Sequence, residues 1–195
     1  MIARVPLVVV LAGPNSAGKS TSAPYLLKDA LAVDEFVNAD TIAQGLSAYR
    51  PDAAAVTAGK VMVERLRALA NLRRDFAFET TLSGRSHARW LRELQRAGYR
   101  THLIFLSLPS ADLAVARVAD RVRRGGHEVP DAVIRMRFVA GLRNLFSVYM
   151  QVVDAWTIYD NADVVSPLLV ASRAFGADTI VADAEAWESL KELQA

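Results

Sequence analysis

Two kinds of hydrophobic pattern alternate along this chain. Apolar runs of strand length are separated by longer stretches in which apolar residues recur every three or four positions. Leu7 to Ala12 is a continuous apolar run, the pattern of a strand buried on both faces of a parallel sheet. Asp34 to Asn38 reads as a short second strand. Phe76 to Glu79 reads as a third, with Phe76 and Phe78 alternating and Glu79 at its end. Tyr99 to Leu108 contains a fourth, centred on Leu103 to Leu106, and Trp156 to Tyr159 forms a fifth. Leu168 to Ala171 and Thr179 to Ala182 are expected to pair as an edge hairpin across Phe175 and Gly176.

Helical spacing fills the intervals. Ser20 to Leu27 reads as a helix with Pro24 in its first turns, where a missing N–H is best tolerated. A second helix begins near Thr41, with Asp40 placed to cap it. Asp52 is expected to cap a long helix to about Leu72, with Val56, Val63, Leu66 and Ala70 on one face. Ser86 to Ala97 buries Trp90, Leu91 and Leu94 and stops at Gly98. Another helix starts at Ser110 or Asp112. Val139, Leu142, Phe146, Tyr149 and Val153 mark the core side of a helix that runs to Ala155, and Ala184 to Leu193 closes the chain. Strands alternating with helices point to an α/β fold.

Length and composition narrow this reading. The 195 residues fit one domain with a substantial core, and 52% are hydrophobic. Cysteine is absent, which excludes disulfides and cysteine-ligated metals. A formal net charge of +2 does not by itself imply a nucleic-acid partner. Arg4 and the apolar run after it resemble a short signal peptide, but the run leads straight into a glycine-rich loop, so it reads as structural. No stretch approaches the ~18–20 apolar residues of a membrane span. A soluble cytoplasmic protein is expected.

The candidate chemistry centres on Gly13-Pro14-Asn15-Ser16-Ala17-Gly18-Lys19-Ser20, which fits the phosphate-binding pattern G-x-x-x-x-G-K-[ST] and joins a strand to a helix, as that motif requires. Gly13 and Gly18 let the backbone curl so that N–H groups face phosphate oxygens, and the helix N-terminus adds partial positive charge. Lys19 can then reach the β- and γ-phosphates of ATP, and the Ser20 hydroxyl can ligate Mg²⁺. Ligands of parallel sheets gather at the carboxyl ends of strands, which puts Asp40, Glu79, Thr80 and Thr81 on the same rim. Arg117, Arg121 and Arg124 share one helical face; Gly125-Gly126 follows, then a helix with Arg135 and Arg137. That arrangement reads as a mobile lid over phosphates, about residues 117–137. Aromatic residues are not interleaved with this basic segment, which argues against nucleic acid.

In order along the chain, Gly13 to Thr21, Asn38-Ala39-Asp40, Phe78 to Gly84, Arg117 to Arg121, Gly125 to Pro130 and Tyr159-Asp160-Asn161 resemble the zeta-toxin-like P-loop kinases, in particular their free-standing bacterial branch. The resemblance covers nearly the whole chain. It implies a single three-layer α/β P-loop kinase domain with about five parallel strands, ordered 2-3-1-4-5 by analogy with small P-loop kinases, and a helical lid. It implies ATP-dependent phosphorylation of a hydroxyl, in the best-known members on the sugar of UDP-N-acetylglucosamine. Carried across, the segment from Gly13 to Thr21, with Arg117 and Asn161, would hold the nucleotide, and Ser20 its Mg²⁺. Asp40 would be the base for the acceptor hydroxyl, Glu79 and Thr81 would contact the acceptor, and Arg121 and Arg124 would stabilise the transferring phosphoryl group. An antitoxin protein is a candidate partner. The lid differs in length and spacing from that of the toxins, so two alternatives stay open: a kinase of another small alcohol (a nucleoside, a sugar or an antibiotic), or a nucleotide-dependent ATPase switch that binds a protein partner.

Overall fold

A computed structural model describes residues 4–163 and 166–194. Its centre is β1 (Leu7–Ala12), whose residues Val8 to Ala12 are wholly inaccessible to solvent. Consecutive strand residues point to opposite faces, so this burial requires cover on both sides of the sheet. The same holds for Phe76, Ala77 and Phe78 of β3 (Phe76–Thr80). With β2 (Phe36–Val37), β4 (Arg100–Ser107) and β5 (Ala155–Asp160), these strands lie parallel in the expected order β2-β3-β1-β4-β5. The hairpin β6 (Leu168–Arg173) and β7 (Thr179–Val181) joins the sheet antiparallel at β5. Among the described residues the sheet therefore has seven strands rather than five, in a three-layer arrangement with the helices.

Several local expectations change. The first helix is α1 (Lys19–Ala23), and from Pro24 it widens into a π-helical turn, Pro24–Asp29. Pro24 has no N–H to give the preceding turn, so the register relaxes there. Next, α2 (Ala39–Leu46) is capped by Asn38, one position before the helix; Asp40 is the second residue inside it and does not cap it. The long α3 (Pro51–Asn71) has Pro51 at its first position, and the Asp52 side chain lies outside the described residues. Its buried stripe is Ala54, Ala58, Met62, Leu66 and Leu69, whereas Val56 and Val63 are exposed. Ala43 of α2 packs against Ala54 and Ala58, so only methyl-sized side chains fit that contact.

The second half follows the same logic. The helix α4 (Ser86–Arg96) lays Trp90 against Phe76 and Phe78. Ser110 caps α5 (Ala111–Arg123) by accepting from Leu113 N–H at 3.2 Å. Then α6 (Asp131–Asn144) passes through a π-helical turn, Leu145–Tyr149, into the short α7 (Met150–Val152). Ile134, Phe138, Leu142, Leu145 and Tyr149 face the core, and Val139 is exposed. The last helix, α8 (Ala184–Leu193), stacks Trp187 on Trp156. Among the described residues no helix is long and apolar enough to cross a membrane.

Candidate active site

The loop between β1 and α1 is held from below. Gly18, just before α1, has φ +85°, and a Cβ there would lie 2.4 Å from the Asn161 amide nitrogen. Only glycine combines that backbone with that approach. Asn161 is fully buried at the carboxyl end of β5, and its amide donates to Ala17 O at 2.6 Å. Arg117 donates to Asn161 O at 2.9 Å and to Ala162 O at 2.5 Å. The far end of the loop is thus tied to β5 and α5, which sequence spacing could not reveal.

Lys19 opens α1 and is 5% exposed. Its Nζ donates to Gly13 O at 2.9 Å and Pro14 O at 2.8 Å, and lies 3.5 Å from Glu79 Oε1. Burial pushes its pKa below the ordinary lysine value, while the charges of Glu79 and Asp40 pull it back up. Anionic phosphate entering this cavity would add to the upward pull and favour the ammonium form.

Glu79, at the end of β3, is the hub of the rim. Its Oε2 accepts from Ser20 Oγ at 2.9 Å and from the Asn38 amide at 2.6 Å. Asn38 also donates to Ser20 Oγ at 3.3 Å. The Asn38 carbonyl oxygen accepts from the N–H groups of Asp40, at 2.7 Å, and Thr41, at 3.1 Å. One nearly buried amide therefore fixes the Glu79 carboxylate and starts the helix that presents Asp40 to the cavity. The Ser20 hydroxyl and Glu79 carboxylate are hard oxygen donors side by side. They fit Mg²⁺, which binds through one or two carboxylates together with water and substrate phosphates. Among the described residues no three His, Cys, Asp or Glu side chains form a metal cage.

The segment after β3 is anchored by α6. A Cβ at Gly141 would meet Thr81 O at 2.5 Å, so this glycine lets the helix backbone press on the loop. Asn144 donates to Leu82 O at 2.8 Å and accepts from Arg85 Nε at 2.8 Å. Tyr149 OH donates to Gly84 O at 2.7 Å, and burial pushes its pKa up to about 12, so it stays a donor. Leu82 is fully buried with φ +55°, a left-handed conformation unusual for leucine. The Thr81 and Ser83 hydroxyls sit 3.0 Å apart at the tip.

Two adjoining cavities result. The larger, about 590 Å³, is lined by Ser16 to Thr21, Asp40, Glu79, Arg117, Asp120, Arg121, Arg124 and Gly125-Gly126. The smaller, about 210 Å³, is lined by Asn15, Asn38, Thr80, Thr81, Ser83 and Arg137 among others. Ser16, Lys19, Asp40, Glu79 and Arg121 face both. Gly13, Pro14 and Asn161 line neither: the first two present their carbonyls to Lys19 from within the loop, and Asn161 supports it at Ala17. Arg121 donates to His127 O at 2.8 Å, and its buried Nε has no hydrogen bond among the described residues. The glycine pair is engaged rather than slack: Gly125 N–H donates to Val122 O and Gly126 N–H to Arg121 O, both at 2.9 Å, a Schellman ending of α5. Sequence reasoning missed the double role of Asn38. The available signal was Asn at a strand end before Ala39-Asp40-Thr41, since Asn is as good a cap as Asp.

Residues 8–140 match the family model of the AAA domain. The chain belongs to that family. An uncharacterized protein of Haemophilus influenzae is 26% identical over 126 residues, 65% of this chain and 88% of that one. Among solved structures, the AvrRxo1-ORF1:-ORF2 complex with ATP superposes with TM-score 0.76 at 17% identity, over 99% of this chain. This chain spans 65% of that one. A structure from the PezAT chromosomal toxin–antitoxin system of Streptococcus pneumoniae superposes with TM-score 0.70 at 20% identity, over 98% of this chain and 79% of that one. The AAA-domain chain therefore has a P-loop kinase-like fold, and its resemblance to the zeta-toxin-like kinases holds at the level of the fold.

Proposed function

We propose that this AAA-domain protein is an ATP-dependent kinase of a small alcohol, with the whole chain acting as one kinase domain. The observation that carries the reading is the shared wall: Lys19, Asp40, Glu79 and Arg121 face both cavities, so a nucleotide tail in the larger meets an acceptor in the smaller. The loop from Gly13 to Thr21 would bind the nucleotide phosphates, with Lys19 leaving its carbonyl partners for them. Arg117 and Asn161 would shape the nucleotide end of the larger cavity by fixing the loop from behind. Ser20 and Glu79 would hold Mg²⁺, which neutralises phosphate charge when bound. Residues 117–137 would close as the lid. A cytoplasmic location, where ATP is supplied, follows from this reading.

The transfer balances simply. The acceptor oxygen bonds to the γ-phosphorus, the bond from that phosphorus to the β–γ bridging oxygen breaks, and ADP leaves. The hydroxyl proton passes to Asp40, an ionised carboxylate being acceptor-only. Thr81 and Ser83 would orient the acceptor, while Arg121 and Arg124 would offset charge that develops on the transferring group. UDP-N-acetylglucosamine is the first acceptor to try. AvrRxo1-ORF1 was solved with -ORF2, and PezAT is a toxin–antitoxin system. On that footing a protein that covers the cavity is a further candidate partner, and co-purification from the native host would reveal it.

Asp40→Asn tests the reading. It keeps the shape and removes the charge, so ATP affinity by calorimetry should be unchanged or slightly tighter. Transfer, followed by product mass, should fall by about 10²–10⁴-fold, the range for a lost general base. Wild-type transfer by Asp40→Asn would leave Asp40 a helix residue with no part in the chemistry. Absence of transfer by the unmodified protein to any small alcohol, together with a partner that binds only its ATP form, would favour the switch.

A further inference from the structure

The helices on one face of the sheet are sorted by charge. Phe76 and Phe78 of β3 lie in register with Val8 and Val10 of β1, Val10 with Leu103 of β4, and Leu103 with Trp156 of β5, so these residues share a face. Trp90 brings α4 onto that face and Trp187 brings α8. The continuous helix of α6, the π-helical turn and α7 runs between them, with α4 packed against α7 and α8 against α6.

Each flanking helix turns one sign of charge outward. While α4 buries Ala88, Leu91 and Leu94, Arg85, Arg89, Arg92 and Arg96 recur every three or four positions on its opposite side, all exposed. Among the described residues no hydrogen bond or ion pair engages the guanidinium of Arg89, Arg92 or Arg96. Glu93 lies to one side, on the groove shared with α3. The last helix is the reverse. Leu190 of α8 is buried, and Glu185, Glu188 and Glu192 form the exposed row opposite it, with Lys191 at the flank pairing with Glu188 at 2.7 Å. Between them α6 shows Ala132, Met136 and Val139 outward, Met136 56% and Val139 40% exposed, and then Arg143. Like charges at three- and four-residue spacing destabilise a helix, and mixed signs would have stabilised each one by itself. Packed helices lie about 8–10 Å apart, which sets the two rows roughly 16–20 Å from each other, beyond the ~8 Å range of charges in physiological salt. Within one chain the rows therefore do not neutralise each other.

We propose that this helix layer is an interface with a second copy of the chain, in which α4 of each protomer lies on α8 of the other. A two-fold axis along the middle helix exchanges the flanks, so the basic row meets the acidic row twice and α6 meets its own copy. Charge complementarity selects this occupant. A foreign acidic or basic surface satisfies one row and repels the other, whereas a second copy carries both signs at the same spacing. Each row has a uniform sign, so the pairing needs no single register. The flanking helices have 11 and 10 residues. At 1.5 Å per residue they are about 16 Å long, and three helices span about 30 Å. The footprint is on the order of 500 Å² per partner, below the ~800 Å² of a standard interface, so the dimer is weak and reversible. The inference does not rest on the kinase reading.

Sedimentation velocity on the full chain tests this, over a concentration series at low and high salt. The unmodified chain should dimerise with a Kd of about 10–100 µM at ~25 mM salt, and about 10-fold or more weakly at ~300 mM. The triple reversal Arg89→Glu, Arg92→Glu and Arg96→Glu makes both flanks acidic, and Glu185→Lys, Glu188→Lys and Glu192→Lys makes both basic. Each alone should stay monomeric. Mixed in equal amounts, they should dimerise about as strongly as the unmodified chain, because every row again meets its opposite. A chain that carries all six reversals should pair with itself. Arg89→Gln with Arg92→Gln, and Glu185→Gln with Glu188→Gln, remove charge without reversing it; each should weaken the dimer about 10-fold or more and serves where a reversal does not fold. The proposal is overturned if the unmodified chain stays monomeric throughout, if either folded reversal or either glutamine pair dimerises like it, or if the folded mixture does not associate. Growth beyond a dimer also overturns it, since it would mark open head-to-tail pairing. So does an unmodified chain that stays monomeric yet is held on heparin or anionic lipid vesicles and released by Arg89→Gln with Arg92→Gln, which would give the basic row to a polyanion.

Discussion

The Asn38 amide donates to Glu79 Oε2 across 2.6 Å, while the other end of the same side chain caps α2. Helix start and carboxylate position are therefore set by one residue. Asn38→Asp separates the two jobs. Aspartate still caps, so the melting temperature should stay near wild type. It cannot donate to Glu79 and sets a like charge beside it, so phosphoryl transfer should fall by about 10–100-fold, the cost of losing a group that orients a ligand. Asn38→Ala should lose both the activity and about 1 kcal/mol of stability. Initial rates and thermal melts of the two variants check this; full activity in Asn38→Asp would show that the Glu79 contact is incidental.

Arg121 faces both cavities, and Arg124 only the larger one. If the arginines act on charge that develops during transfer, Arg121→Ala should lower kcat by about 10²-fold or more, with little change in ATP affinity. Arg124→Ala should do the same to a smaller extent. Steady-state kinetics beside calorimetric ATP binding separate the cases. Loss of ATP affinity with kcat unchanged would mean ordinary ground-state binding.

His102 of β4 is held near Thr157 Oγ1 at 3.0 Å and edge-on to Phe175, and burial pulls its pKa down to about 4. The folded value lies below the unfolded value of about 6.5, so below pH 6.5 the unfolded chain binds the proton first. Stability is thus fully present above about pH 6.5 and falls as pH drops toward 4, by a few kcal/mol at most from this group. Thermal melts of His102→Asn between these limits should show a shallower pH dependence than wild type. Parallel curves would assign the acid loss to other groups.

Four of the five parallel strands were legible because each has an apolar centre that ends in polar residues, and β1 was read with its observed ends; β2, read over Asp34 to Asn38, is only Phe36–Val37. The glycine-rich loop was legible for the same reason as its chemistry: local backbone geometry needs glycine and lysine at fixed spacing. Helix faces were harder. Valines at helical spacing on α3 stood out in the sequence, yet the buried stripe starts with alanines, because what α2 leaves room for is a tertiary property. Val139 failed as a core residue on the same ground, its place taken by Phe138 one position earlier.

By itself the sequence determined which segments are strands, where phosphate chemistry can sit, and that Asp40, Glu79 and the α5 arginines belong on the rim of one sheet. Those features depend on periodicity and on the rule that ligands collect at strand carboxyl ends. Only the tertiary structure decided that Asn38 joins Glu79 to α2, that Asn161 supports the loop 144 positions away, and that Arg137 lines the smaller cavity while Arg135, two positions earlier, pairs with Asp112 and Asp131. Such contacts join residues far apart in the chain, and a side chain's partner is set by how the helices settle on the sheet rather than by its neighbours in sequence.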